Sequence, residues 1–393
     1  MVMKLRTDCQ PKRIEVIRTP CDAIRLIGRV FSHHDIEDTD ESLRGLLASE
    51  LTDWLVVLGA ANHHAVTPAL WAAISRRNLA HVLPADVQGY LGMLYDLNRQ
   101  RNDLIREQVL DAARCLNRHG IRPLLMKGAL TLLENTGDER ASIMTDTDLL
   151  VKRDEIRGAV SALRSIGYDL LGEPSAHAHA STFHRSMSLV TIDLHWDVGP
   201  QRILLSPEAV YAAARPINRR DVSMDGLAIS HRVLILIMTF GIFERHYVAG
   251  HIPMRGLIHL ADLCKQYKGE VDWEHVFRMT DRHQLRAQAA CMFHMANELM
   301  NLPVPAYFRQ DAVACRHLRR CLQQLAHPTL DRAMRAYAAL VWPFNEVRMD
   351  YRHHCGTHYG PLLAARVRHA INVLVRRSHL RAWPSPILRR QAQ

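Results

Sequence analysis

Three short stretches carry residues whose types and spacing could do chemistry: Lys127-Gly128, Asp146-Thr147-Asp148, and Asp193 with His195. Side chains alternate along an extended chain, so Asp146 and Asp148 point to one face. Two carboxylates this close repel each other unless a cation lies between them. A hard divalent ion such as Mg²⁺ meets that need, because it takes oxygen ligands and is usually shared with substrate phosphates. Mn²⁺ suits the same ligands. The stretch 191–197 also alternates, with Asp193, His195 and Asp197 on one face and Ile192, Leu194 and Trp196 on the other. If it neighbours the Asp-x-Asp strand, Asp146, Asp148 and Asp193 can hold two ions. Such a pair stabilises both the attacking and the leaving oxygen of an in-line displacement. These three are the candidate catalytic and metal-binding residues. Asp193 would hold the second ion or accept the proton of an acceptor hydroxyl.

The elements that position them follow from local pattern. Residues 122–126 predict a short strand, Lys127-Gly128 a turn, and residues 129–134 a helix. Glycine at such a turn lets backbone approach a ligand closely. The helix start offers unpaired N–H groups and a partial positive charge, which suits a triphosphate. Lys127, Gly128 and Ala129 are therefore candidate nucleotide contacts, and His195, on the same face as Asp193, is a candidate either to contact the nucleotide phosphate, to orient a metal ligand or to pack beneath the site. Upstream, residues 51–61, 68–75 and 87–116 carry apolar residues at three- and four-residue spacings and predict helices. Asp154 predicts a cap for a helix ending near Ile166. Residues 168–171 predict a strand, and 183–196 a hairpin. From Pro207 onward helices are predicted again. The expected architecture is α+β: a small mixed sheet at 118–200, flanked by helical regions at 1–117 and 201–393.

The motifs MKGA (126–129), DTDLLV (146–151) and IDLHW (192–196) resemble those of a bacterial nucleotidyltransferase family within the superfamily that includes DNA polymerase beta. MRGLIHLADL (254–263) is similar to a helical segment of that family, with Arg255 and Asp262 at its Arg and Asp positions. Ala129 stands where the wider superfamily has Ser. Arg140 occupies the place of an Arg that precedes the Asp-x-Asp and contacts phosphate. The resemblance implies an NTP such as ATP as donor, Mg²⁺ as cofactor, and transfer of a nucleotidyl or phosphoryl group. The acceptor it allows is a small hydroxyl or amino compound, a peptide, or tRNA. A non-catalytic nucleotide- or RNA-binding module on the same scaffold is the alternative.

At 393 residues, 48% hydrophobic and 23% charged, the chain can bury a sizeable core. The longest apolar run, 233–243, is too short to span a bilayer and predicts a buried helix. Neither a membrane span nor a signal peptide is expected, and the scattered cysteines fit a reducing cytoplasm. The net charge of +10 suits a phosphate-rich partner. Arginine supplies most of it. Lysine stands only at 4, 12, 127, 152, 265 and 268, so Lys127 beside the glycine is conspicuous. His353, His354, Cys355 and His358 are zinc-ligand types at no closed four-ligand spacing. A basic segment at 364–381 predicts a terminal helix packed through Val367, Ile371, Leu374 and Val375.

Overall fold

The computed structural model describes residues 16–32, 37–134, 141–171, 180–219, 221–344, 349 and 359–380. Two compact units divide the chain, Met1–Asp331 and Arg332–Gln393. The first contains a seven-stranded mixed sheet: β1 (Leu124–Leu125), β2 (Asp146–Leu150), β3 (Asp169–Leu170), β4 (Ala180–His184), β5 (Thr191–His195), β6 (Arg215–Arg219) and β7 (Val222–Gly226). Their order is β3-β4-β5-β2-β1-β7-β6. With helices before and after, the class is α+β.

β2 lies at the centre. It pairs antiparallel with β1 and parallel with β5. Its sequence explains the place: Leu149, Leu150 and Val151 are all fully buried, the continuous apolar pattern of a strand covered on both faces. The parallel register sets Asp148 beside Asp193 and Leu150 beside His195. The strand pairing thus brings together two carboxylates that lie 45 residues apart in sequence.

The sheet also extends further than local pattern predicted. Residues 215–226 form an antiparallel hairpin, and β7 pairs parallel with β1. The hairpin falls in the stretch expected to be helical. Its signal is weak for a physical reason. β6 is an edge strand, and Pro216 with arginines at both ends is the composition that edges tolerate and interiors do not.

Three helical features position the site. The 34-residue helix Ala85–Arg118 sends Gln108 Nε2 to the Val190 carbonyl at 2.9 Å, just ahead of β5. It also sends Asn98 and Asn102 Nδ2 to the Ser142 carbonyl at 3.2 and 2.7 Å. The helix after β1 runs Lys127–Leu133, starting two residues earlier than predicted. The apolar run at 233–243 is a buried helix of two kinds: α-helical Ile229–Leu236 continues as a π-helix, Ile237–Phe243. Such widened turns are frequent at functional sites.

Two local expectations are corrected. Asp154 does not cap the helix Ile156–Ser165. Glu155 precedes that helix without a side-chain cap, and its carboxylate accepts from the Lys152 amide at 3.1 Å. In the second unit, the helix Tyr359–Leu380 buries Leu362, Ala365 and His369, whereas Val367 and Ile371 are about half exposed. Phe344 packs edge-on against His369, and its carbonyl accepts from Arg366 Nε; the side chains of Leu374 and Val375 lie outside the described residues. The histidine–cysteine cluster at 353–358 lies outside the described residues.

Candidate active site

The end of β1 and the start of β2 open into a cleft of about 770 Å³, a size suited to a small-molecule ligand. One wall carries Lys127, Gly128, Thr131 and Glu134 from the helix after β1, with Asp146 and Asp148 from β2. The facing wall carries Thr239 and Phe240 from the π-helix, and Arg255, His259 and Asp262 from the helix Met254–Gln266. The spacing of those three, four then three residues, places them on one helix face. Arg76, Arg232 and Lys265 add further cations.

Asp148 is the hub. It is 3% exposed, and its Oδ1 accepts from Lys127 Nζ at 2.7 Å and pairs with His195 Nε2 at 3.0 Å. Burial alone would raise its pKa. The Lys127 ammonium and the His195 hydrogen bond outweigh burial and hold the carboxyl at about 2. Lys127 responds in the opposite sense. Its burial favours the neutral amine, but Asp148, then Asp146 and Asp193, overcome that and raise its pKa. Asp193 differs from Asp148. Burial raises its pKa, a hydrogen bond with Thr182 opposes the rise, and the Asp148 charge adds to it. Its Oδ1 is buried with no hydrogen-bond partner among the described residues.

Asp148, Asp193 and His195 are the one group of three among the described residues whose ligand atoms converge, all within 4.8 Å of one another. Two carboxylates and an imidazole, with a buried carboxylate oxygen still unpartnered, fit a divalent cation. Asp146 stands outside that trio. It shares the Asp148 face and lines the cleft, where its Oδ1 accepts from Thr145 Oγ1 at 3.1 Å. Asp193 and His195 do not line the cleft; Asp148 is the member of the trio that does.

The predicted nucleotide contacts are placed unevenly. Lys127 and Gly128 line the cleft, while Ala129 is fully buried. His195 contacts Asp148 rather than the open cleft. Arg140 lies outside the described residues. Gly128 has a packing reason as well as its proximity to the cleft: a Cβ there would lie 3.1 Å from Met144 Cε.

Residues 142–143, just before β2, are held from two sides. Asn98 and Asn102 take the Ser142 carbonyl, and Arg255 Nη2 takes the Ile143 carbonyl at 2.7 Å. These tethers set where Asp146 sits. Asn98 and Asn102 look in sequence like polar positions on an exposed helix face, and no sequence signal separates them from the others.

A family model described as an uncharacterised nucleotidyltransferase matches residues 50–301, well over half of the chain. The chain belongs to that family. No curated protein and no solved structure matches it. The family match takes in β1 to β7, the π-helix and the helix Met254–Gln266, so both walls of the cleft belong to the shared region. No helix among the described residues is long and apolar enough to cross a membrane.

Glu134 and Arg232 escaped the sequence reading because 98 residues separate them. Arg232 Nη1 lies 2.7 Å from Glu134 Oε1, and both side chains are 12% exposed. Tyr267 donates its hydroxyl to the same oxygen at 2.6 Å. This pair ties the end of the Lys127–Leu133 helix to the helix Ile229–Leu236. Removing one partner of a buried pair typically costs about 3–5 kcal/mol, because the other charge is left uncompensated. Arg232→Ala should approach the lower end of that range, since Tyr267 keeps one hydrogen bond to Glu134. Glu134→Gln should cost less. Urea denaturation of the two variants measures the difference, and equal midpoints would contradict the assigned role of the pair.

Proposed function

We propose that this protein transfers a nucleotidyl group from an NTP, held with Mg²⁺, to a hydroxyl or amino group of an acceptor. One observation carries the reading: a single cleft presents Asp146 and Asp148 together with Lys127, Arg76, Arg232, Arg255 and Lys265. Carboxylates alone would repel a triphosphate. Cations alone would bind it without placing a metal. The combination accommodates a polyanion that arrives with a divalent ion.

Asp148, Asp193 and His195 would hold one ion, and Asp146 with Asp148 a second, nearer the cleft. When bound, such ions neutralise charge on the phosphates and polarise the attacked phosphorus. Lys127 and Gly128 would face the phosphates, with Arg232 and Arg255 on either side. Without an ion, His195 Nε2 hydrogen-bonds Asp148 Oδ1; a bound ion would take the place of that contact. Asp193 is assigned to the metal rather than to the acceptor proton, because it lies beside Asp148 without lining the cleft. The candidate acceptors are a small molecule, a peptide or tRNA.

The test uses each of the four NTPs labelled either at the α- or at the γ-phosphate, with Mg²⁺ and pools of the three acceptor classes. Stable transfer of the α-label is the expected result. Transfer of the γ-label alone would make the protein a kinase. Mg²⁺-dependent NTP binding with no transfer to any pool would favour the non-catalytic module.

A further inference from the structure

The cation resting on Asp148 in this protein is its own lysine. Lys127 Nζ lies 2.7 Å from Asp148 Oδ1, the oxygen that also pairs with His195 Nε2. Asp148 and His195 are both members of the trio whose ligand atoms converge. The ammonium and a divalent ion would therefore compete for the same carboxylate. Two positive charges on one oxygen repel strongly in a partly buried site.

The two partners differ in freedom. The Asp148 side chain is 4% exposed and fixed in the central strand, whereas the Lys127 side chain is 35% exposed at the cleft. The Lys127 side chain thus has open cleft beside it, whereas Asp148 is enclosed. The Lys127 backbone is also unusual, with φ +45°, a region that side-chain-bearing residues rarely adopt. Strain of this kind persists only where the surroundings fix it, and it clusters at functional sites. Here the Met126 amide bonds to the Asp148 carbonyl at 3.2 Å, and a Cβ at position 128 would lie 3.1 Å from Met144 Cε, so the glycine lets the turn pass this close. These contacts aim the lysine at Asp148.

We propose that Lys127 is a resident counter-ion that blocks divalent-ion binding in the free protein and transfers from Asp148 to the nucleotide phosphates. The metal is then taken up together with the nucleotide, not before it. The idea rests on the cleft being the NTP site. Lys127 has two partners to choose between, and the phosphate supplies the second only when nucleotide is present. Metal and nucleotide must consequently bind with positive coupling, and by linkage each strengthens the other equally.

The experiment measures free Mn²⁺ by electron paramagnetic resonance over metal-stripped full-length protein, without nucleotide and then with non-hydrolysable analogues of the four NTPs. Lys127→Asn removes the charge, and asparagine tolerates positive φ. Lys127→Gly serves the same purpose should the first variant not fold. Lys127→Arg keeps the charge. Without nucleotide, Lys127→Asn should bind Mn²⁺ about tenfold more tightly than the natural protein, within the usual span of coupling effects. Lys127→Arg should stay close to the natural protein. With Mn²⁺ present, Lys127→Asn should bind the preferred analogue about tenfold more weakly, the opposite direction. Mn²⁺ affinity equal to or below that of the natural protein in the charge-removed variants would overturn the proposal. Failure of the natural protein to bind any analogue would instead remove the nucleotide-site reading, while the Mn²⁺ comparison still decides whether Lys127 blocks the ion.

Discussion

Asp146→Asn should abolish Mg²⁺-dependent NTP turnover while leaving the fold as stable as before. Asp148→Asn should abolish turnover and weaken the fold as well. Both residues are proposed metal ligands, and a metal ion in such a site supplies several kcal/mol of charge stabilisation in phosphoryl and nucleotidyl transfer. At 1.36 kcal/mol per factor of ten, losing one ligand is worth a rate loss on the order of 10³-fold. The difference lies in what else each carboxylate does. Asp146 is half-buried at the cleft, with Thr145 as its hydrogen-bonding neighbour. Surface substitutions of that kind usually stay within about 0.5 kcal/mol. Asp148 is buried and partners both Lys127 and His195. Hydrogen bonds to charged groups contribute on the order of 1.5–3 kcal/mol, so Asp148→Asn should lower the unfolding free energy by about that much.

The pH dependence gives the second arm of this prediction. Asp148 has a folded pKa of about 2, below the ordinary carboxylate value of about 3.9. Its stabilising contribution is therefore fully present above pH ~4 and is lost as pH falls from there through ~2. The natural protein should lose stability across that window, and Asp148→Asn should be flatter there. Chemical denaturation at a series of pH values, in the absence of metal, makes the comparison. Equal turnover in Asp146→Asn and the natural protein would remove Asp146 from the site. Equal acid profiles would remove the special environment of Asp148.

How much of this was legible in the sequence depends on the range of the interaction. Alternation along 146–150 and 191–195 placed Asp146 with Asp148, and Asp193 with His195, because side-chain direction in a strand is a local property. That Asp148 stands beside Asp193 was a conditional statement until the parallel β2–β5 register supplied it. Lys127 was recognised by its rarity and its glycine, but its partner was not. A phosphate contact and a salt bridge to Asp148 make the same demand on sequence, a cation at a turn. The opposite wall was the least accessible. Arg232 and Glu134 meet only because the helices that carry them pack together, and the asparagines that hold Ser142 lie on a helix whose polar face gives no sign of which residue points inward. Arg255 and Asp262 were visible only through the family resemblance. The β6–β7 hairpin was missed because an arginine-flanked edge strand with proline lacks the apolar alternation by which strands are recognised.

Asp193→Asn should separate activity from stability most sharply, moving the two in opposite directions. Asp193 is half-buried, its pKa is raised chiefly by burial, and one of its carboxylate oxygens has no partner among the described residues. A carboxyl whose folded pKa exceeds its unfolded value binds more protons folded than unfolded between those two pH values. Stability therefore falls as pH rises through that interval, and the deficit persists at neutral pH. An uncharged amide of the same shape removes the deficit. In metal-free protein at pH 7, Asp193→Asn should melt at a higher temperature than the natural protein, and the advantage should vanish at a pH below the ordinary carboxylate value. Adding Mn²⁺ together with a non-hydrolysable NTP analogue should reverse the order, because the natural carboxylate then gains a cation and the amide does not. Turnover should drop on the order of 10³-fold, the loss expected for any one ligand of the ion. Nucleotide binding, for which Lys127, Asp146 and Asp148 are the proposed contacts, should survive in part. Asp197 provides the control. It lies past the end of β5, with its carboxylate 3.6 Å from Arg202, so Asp197→Asn should leave turnover nearly unchanged. An essential Asp197 and a dispensable Asp193 in single-turnover assays would mean that the third carboxylate of the site belongs at Asp197, beyond the β2–β5 pairing that places Asp193 against Asp148.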